Sequence, residues 1–138
     1  MITNGDITIF NKAYDRETRS ELFVPTIIRG VHVFNRVKGK GELQQEKSFS
    51  CQIRIPIDAN TGGKEYVSQH GWIAAGDKSG LWTIQLGDVV VLRAVEEDAL
   101  RNETELLRKY LEAVVVSTVT DNTTIGSKAV RHWRIGGV

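Results

Sequence analysis

Residues Lys47–Asp58 read KSFSCQIRIPID, and their pattern is the clearest structural statement in the chain. Phe49, Cys51, Ile53, Ile55 and Ile57 alternate with Ser48, Ser50, Gln52 and Arg54. Successive side chains of an extended strand point to opposite faces, so a period of two describes a strand with one face in a core and the other in water. Pro56 has no N–H to give to a ladder, which predicts that the strand ends at an edge or rim. Cys51 falls on the apolar side, where a cysteine behaves as a small hydrophobe rather than a nucleophile.

Working outward, DITIFN (6–11) opens the chain as a strand after the turn-prone Asn4-Gly5. LFVPTIIRGVHVFNR (22–36) is longer than a typical strand, and Gly30 marks the place for a bulge or sharp bend. GDVVVLRAV (87–95) is nearly continuous apolar, the signature of a strand covered on both faces, and Gly87-Asp88 supplies a turn before it. LEAVVVSTVT (111–120) and AVRHWRI (129–135) read as an antiparallel hairpin joined by DNTTIGS (121–127). One short helix is expected: Asn102 caps it, Glu105 stands three residues on, and Leu106, Leu107 and Tyr110 form a narrow apolar stripe. So short a helix must lean on the sheet. The fold expected is mainly β, a small β-barrel or sandwich with one short helix, in a single domain over residues 1–138. Loops near 35–47 and 58–65, rich in Gly, Lys and amides, are expected to be flexible.

The totals set bounds. A chain of 138 residues buries about two-thirds of its unfolded surface as one domain. A hydrophobic fraction of 41% with 25% charged residues is ordinary for a globular protein. No apolar run reaches the roughly 20 residues of a membrane-spanning helix, and MITNGDITIF lacks the basic start and apolar block of a signal peptide. A cytoplasmic chain without disulfides is expected, because the lone Cys51 has no partner to bridge. The net charge of +1 gives no global attraction to nucleic acid or membrane. The charge is uneven, however: residues 1–40 hold seven Lys/Arg against four Asp/Glu, and residues 41–100 hold five against nine.

Catalytic and metal chemistry find no pattern. His32, His70 and His132 show no H-x-x-x-H spacing, and one cysteine is too few for a zinc motif. GDKSG (76–80) is one residue too long for a nucleophile elbow, and neither it nor NTGGKE (60–65) has phosphate-loop spacing. No enzyme, cofactor or metal is expected. Arg131-His132-Trp133-Arg134 offers a stacking ring between two cations, which suits a single-strand nucleic-acid-binding β-barrel. Against that reading, Ala129, Arg131, Trp133 and Ile135 share one face of the expected strand, so Trp133 beside Ile135 reads as core.

Several segments in order carry a resemblance. DITIFNKAYDRETRSELFVPTIIRGVHV is followed by CQIRIPID, by GKEYV with a tryptophan a few residues on, by LGDVVVLRAVEED, by helical ELLRKY, and by VSTVTDNTTIGSKAVRHWRIGG. The series, covering 5–137, resembles a family of small proteins of the head–tail module of tailed bacteriophages and prophages, whose members look like neck or head-closure (stopper) proteins. Two segments depart from it. Val33 stands where the family pattern has an aromatic residue after the position of His32, and GWIAAGDKSGLWTIQLGD (71–88) has no counterpart.

The resemblance implies a virion structural protein made in the bacterial host cytoplasm. It would form a homo-oligomeric ring of six between portal or adaptor and tail, and help retain packaged DNA without reading its sequence. A tail terminator or other tail-junction component is the alternative within the same module. The basic N-terminal third and the acidic middle could supply the two complementary sides of a head-to-tail contact. In the two loops, Lys38, Lys40, Asn60, Gly62, Gly63 and Lys64 are candidate interface or channel residues.

Overall fold

The computed structural model describes residues 2–38, 49–99 and 102–138, with the side chains of Val37, Lys38 and Phe49 left outside that description. In chain order the elements are β1 (Gly5–Asp15), β2 (Ser20–Lys38), β3 (Phe49–Pro56), β4 (Glu65–Tyr66), α1 (Gln69–Ala74), β5 (Leu81–Trp82), β6 (Val89–Val91), α2 (Glu103–Lys109), β7 (Ala113–Asn122) and β8 (His132–Gly137). Six strands pair antiparallel in the cycle β1-β2-β3-β8-β7-β6, and β6 returns to β1, so the sheet closes into a barrel. That closure selects the barrel over the sandwich. The parallel pair β4-β5 stands apart from the cycle.

The closure turns on β2. Its 19 residues exceed the usual strand length of about 3–10, because it serves two partners in succession. Ser20–Val31 pair with β1, and His32–Lys38 pair with β3. The strand turns between them at Gly30, whose φ of +85° is open to glycine and strained for other residues. Asp6 secures the corner by accepting from Gly30 N–H at 3.0 Å and from the Arg29 guanidinium at 3.3 Å. Asn4 then brackets Val33, donating to its carbonyl and accepting from its N–H, both at 2.8 Å. The bend expected at Gly30 is therefore a barrel corner, and Asn35–Lys38, expected in a loop, continue β2.

The alternation of β3 is kept: Cys51, Ile53 and Ile55 are buried in the barrel with Ile7, Ile9, Ile28, Val31, Val90, Val114, Val116, Trp133 and Ile135. β6 shows why a strand can be apolar throughout. Val90 points into this core, while Val89 and Val91 point outward into a second cluster with Phe10, Phe23, Val95, Leu106 and Tyr110. The second cluster is the underside of α2. Asn102 caps that helix, its side chain accepting from the N–H groups of Thr104 and Glu105. Glu103 and Glu105 lie in its first turn and Arg108 and Lys109 in its last, each sign at the favourable end of the helix dipole.

Two expectations are corrected. There are two α-helices among the described residues rather than one: α1 escaped the sequence reading because QHGWIA is short, contains Gly71 and buries only Trp72. The last strand begins at His132 rather than Ala129, since Lys128–Val130 form a 3-10 turn. Arg131 thus precedes the strand, and its Nε donates to the Gly126 carbonyl at 3.2 Å.

Candidate interaction surface

The stretch Arg131–Arg134 divides between the two sides of the barrel wall. Trp133 points inward, 8% exposed, and meets the Tyr66 ring at 4.6 Å and the Trp82 ring at 5.3 Å between centroids. The three rings close one part of the barrel interior. The Trp133 indole nitrogen and Thr83 Oγ1 are buried without a partner at hydrogen-bonding distance among the described residues, and both interact with the Tyr66 hydroxyl. Burial raises the Tyr66 hydroxyl above its ordinary pKa, and the charge of Asp121 adds to the effect. Trp133 is therefore not a stacking platform for a base. His132, on the outer side, is held by contacts of its Nδ1 with the Val130 carbonyl at 2.7 Å and of its Nε2 with the Asn122 amide at 3.3 Å.

Strand register assembles a different surface on the outside. His32 of β2 pairs with Arg54 of β3, Arg54 pairs with Arg134 of β8, and Arg134 pairs with Thr120 of β7. One row across four strands thus reads His-Arg-Arg-Thr. The adjacent row reads Phe34, Gln52, Gly136 and Thr118. The Arg54 guanidinium lies 4.5 Å from the Phe34 ring centroid and that of Arg134 lies 5.5 Å from it, while His32 stacks on Phe34 at 5.1 Å with 13° between the planes. Arg134 also donates to the Gln52 amide oxygen. Cations directly opposite one another on a sheet repel, yet among the described residues neither Arg54 nor Arg134 has a carboxylate partner. Arg36, further along β2, is paired with Glu112 at 3.3 Å.

A second feature lies where the β1–β2 ribbon runs past the barrel. A groove of about 750 Å³ separates this ribbon from α1, lined by Lys12, Tyr14, Leu22, Val24, Trp72 and Ile73 among others. Tyr14 and Ile73 are largely exposed on it. Its floor is fixed by polar contacts. Trp72 Nε1 donates to the Lys12 carbonyl at 2.8 Å. The buried Asp88 carboxylate accepts from Lys12 N–H at 2.9 Å, from the Asn11 amide at 2.8 Å and from Gln85 N–H at 2.8 Å. Asn11 also clamps Thr83, donating to its carbonyl at 2.6 Å and accepting from its N–H at 3.1 Å. Burial pushes the Asp88 carboxyl up to about 6, against the downward pull of those hydrogen bonds and of the Lys12 ammonium. The network ties the segment before β6 to β1.

Asn60 bridges Arg29 of β2 through both backbone groups, at 2.8 and 3.1 Å, and its side chain accepts from Gly62 N–H at 2.9 Å. Gly62 and Gly63 turn with φ of +69° and +86°. The Lys64 ammonium donates to the Pro25 carbonyl at 2.8 Å and to Thr26 Oγ1 at 2.9 Å, and burial lowers its pKa. The segment 58–65 is thus pinned to β2 rather than free. Lys38 contributes backbone to β2, its side chain lies outside the described residues, and Lys40 lies wholly outside them.

Cys51 is buried, and burial raises its thiol to about 11, which keeps it protonated and unreactive at neutral pH. Among the described residues no three His, Cys, Asp or Glu side chains gather as metal ligands would. No helix among them is long and apolar enough to cross a membrane. The outer-wall cluster was missed in the sequence because Arg54 and Arg134 lie 80 positions apart, and only the β3–β8 register makes them neighbours.

No curated protein and no solved structure matches the chain. A family model matches residues 2–138, essentially the whole of it, and on that match the chain belongs to the family described as "Family of unknown function (DUF6751)".

Proposed function

We propose that the chain is a structural component of the neck of a tailed-phage virion, a head-closure protein set in a ring between portal or adaptor and tail. The observation that carries this reading is the ordered series of segments spanning residues 5–137, which resembles proteins of the phage head–tail module. The architecture is compatible in kind. A closed barrel pairs its strands internally and offers little edge for uncontrolled association. The β1–β2 ribbon and its groove offer a shaped, partly apolar surface with Tyr14 and Ile73 exposed, the type of surface a neighbouring subunit can cover. A ring needs two different faces of each subunit to meet. Exposed Arg16, Glu17 and Arg19 give the ribbon tip both signs of charge, and exposed Glu96 and Asp98 beyond β6 carry negative charge that the tip arginines could meet.

The partners on this reading are copies of the chain in a sixfold ring, the portal-side connector and the tail-junction proteins, with sequence-independent contact to packaged DNA. A tail terminator makes the same demands on a small ring subunit and is the nearest relative reading. The test is genetic. Phage lacking the gene should fill heads that leak DNA or fail to join tails, and a plasmid copy should restore them. Full, tailed and infectious particles without the protein would end the proposal.

A further inference from the structure

We infer that the outer wall of β2, β3, β8 and β7 is a binding surface for the phosphodiester backbone of nucleic acid, centred on Arg54 and Arg134. The first ground is an unbalanced placement of charge. Arg54 and Arg134 are direct cross-strand partners with His32 next in the same row, and among the described residues no carboxylate offsets them. Like charges directly opposite one another destabilise a sheet, and an anion bound between the two guanidiniums would relieve that repulsion. Arg is also the side chain best suited to grip a phosphate through two parallel N–H bonds.

The second ground is preorganisation. Both guanidiniums lie against the Phe34 ring, at 4.5 and 5.5 Å, and Arg134 is further held by Gln52, so neither must be ordered on binding. The third is the chemistry of what surrounds them. The register places Thr118, Thr120, Asn122 and His132 on the same outer side, groups that donate to phosphate oxygens and carry no negative charge. A Cβ on Gly136 would collide with Thr118 Oγ1, so the middle of the wall stays low and lets a strand of phosphates approach.

His32 and the two guanidiniums occupy the Phe34 ring. The Phe34 ring is thus taken up by the side chains around it, which favours recognition of the backbone, independent of sequence. This wall is distinct from the Trp133 platform considered from the sequence, and it does not rest on the neck reading: the genetic test can fail while this surface stands.

The test is fluorescence anisotropy with a labelled single-stranded 20-mer, the corresponding duplex and a labelled poly-glutamate peptide, at 50 and 200 mM salt. The proteins are the wild type, the double variant R54Q/R134Q, and R93Q/R108Q, two exposed arginines on the α2 side of the barrel, as a control. The wild type should bind at least one oligonucleotide at 50 mM salt and weaken at 200 mM. The double variant should lose about tenfold or more in affinity at low salt. With two fewer phosphates neutralised, its log–log salt slope should be shallower by about 1.8 on duplex, or about 1.4 on single strand. The arm that binds more tightly identifies the form of nucleic acid. R93Q/R108Q should bind as the wild type does.

Thermal melting separates binding from folding. Removing two opposed cations should leave the melting temperature of the double variant equal or higher. Absence of binding to both oligonucleotides at 50 mM salt would overturn the inference, as would wild-type affinity in the double variant or an equal loss in the R93Q/R108Q control. Poly-glutamate bound as tightly as either oligonucleotide would also overturn it, making an acidic protein surface the partner.

Discussion

Asp88 gives the fold a pH signature whose sign follows from its surroundings. The carboxylate is fully buried and accepts from Lys12 N–H, Asn11 and Gln85, while burial lifts its pKa from 3.8 to about 6. A raised carboxyl pKa means that, between those two values, the folded protein holds a proton that the unfolded chain has released. The contribution of Asp88 to stability is therefore fully present below about pH 4, falls as pH rises, and levels off above about 6. The difference between 3.8 and about 6 corresponds to about 3 kcal/mol, at about 1.4 kcal/mol for each tenfold change in proton affinity. Asp88→Asn removes the titration. It also turns an amide N–H toward donors that need an acceptor, at a cost of about 1–3 kcal/mol. Urea unfolding of wild type and variant at pH 4, 5, 6, 7 and 8 isolates the effect, since the other carboxylates cancel in the difference. The stability advantage of the wild type over Asp88→Asn should shrink from pH 4 to pH 7 and stay constant above. A difference that is flat across the range, or that grows with pH, would refute the reasoning.

Leu106→Ala should cost about 2–5 kcal/mol, because a fully buried side chain joining α2 to the Val89–Val91 strand leaves a cavity, and denaturant titration reads it directly. Gly30→Ala should destabilise by about 1–2 kcal/mol through its left-handed φ rather than through crowding, since no atom lies within 4 Å of the added Cβ. Gly137→Ala should cost more than typical surface substitutions because its Cβ would come within 2.5 Å of Val114 Cγ2, and a lowered melting temperature reports it. Cys51 should resist iodoacetamide at pH 8 in native protein and react promptly in urea, as expected of a buried thiol raised to about 11.

The parts legible in the sequence are those whose pattern is local. The alternation of Cys51, Ile53 and Ile55 gives β3, the run Val89–Val91 announces a strand covered on both faces, and Asn102 with Leu106 and Tyr110 marks α2. The inward turn of Trp133 followed from its alternation with Ile135. What was not legible depends on contacts between distant segments. α1 and the pair β4-β5 are too short to show a period and are held by Trp72 reaching Lys12 and by Tyr66 against Trp82. Asn35–Lys38 look like loop in composition but are drawn into β2 by pairing with β3. The opposition of Arg54 and Arg134, and the burial of Asp88 beneath Lys12 and Asn11, exist only once the barrel has closed.

The neck reading meets its most direct test in the composition and map of purified virions. Tailed particles produced from the genome that encodes this chain should contain the protein by mass spectrometry. A cryo-electron microscopy reconstruction of the same particles should hold a ring of these barrels between portal and tail. Intact particles free of the protein, or a neck built entirely of other chains, would contradict the account.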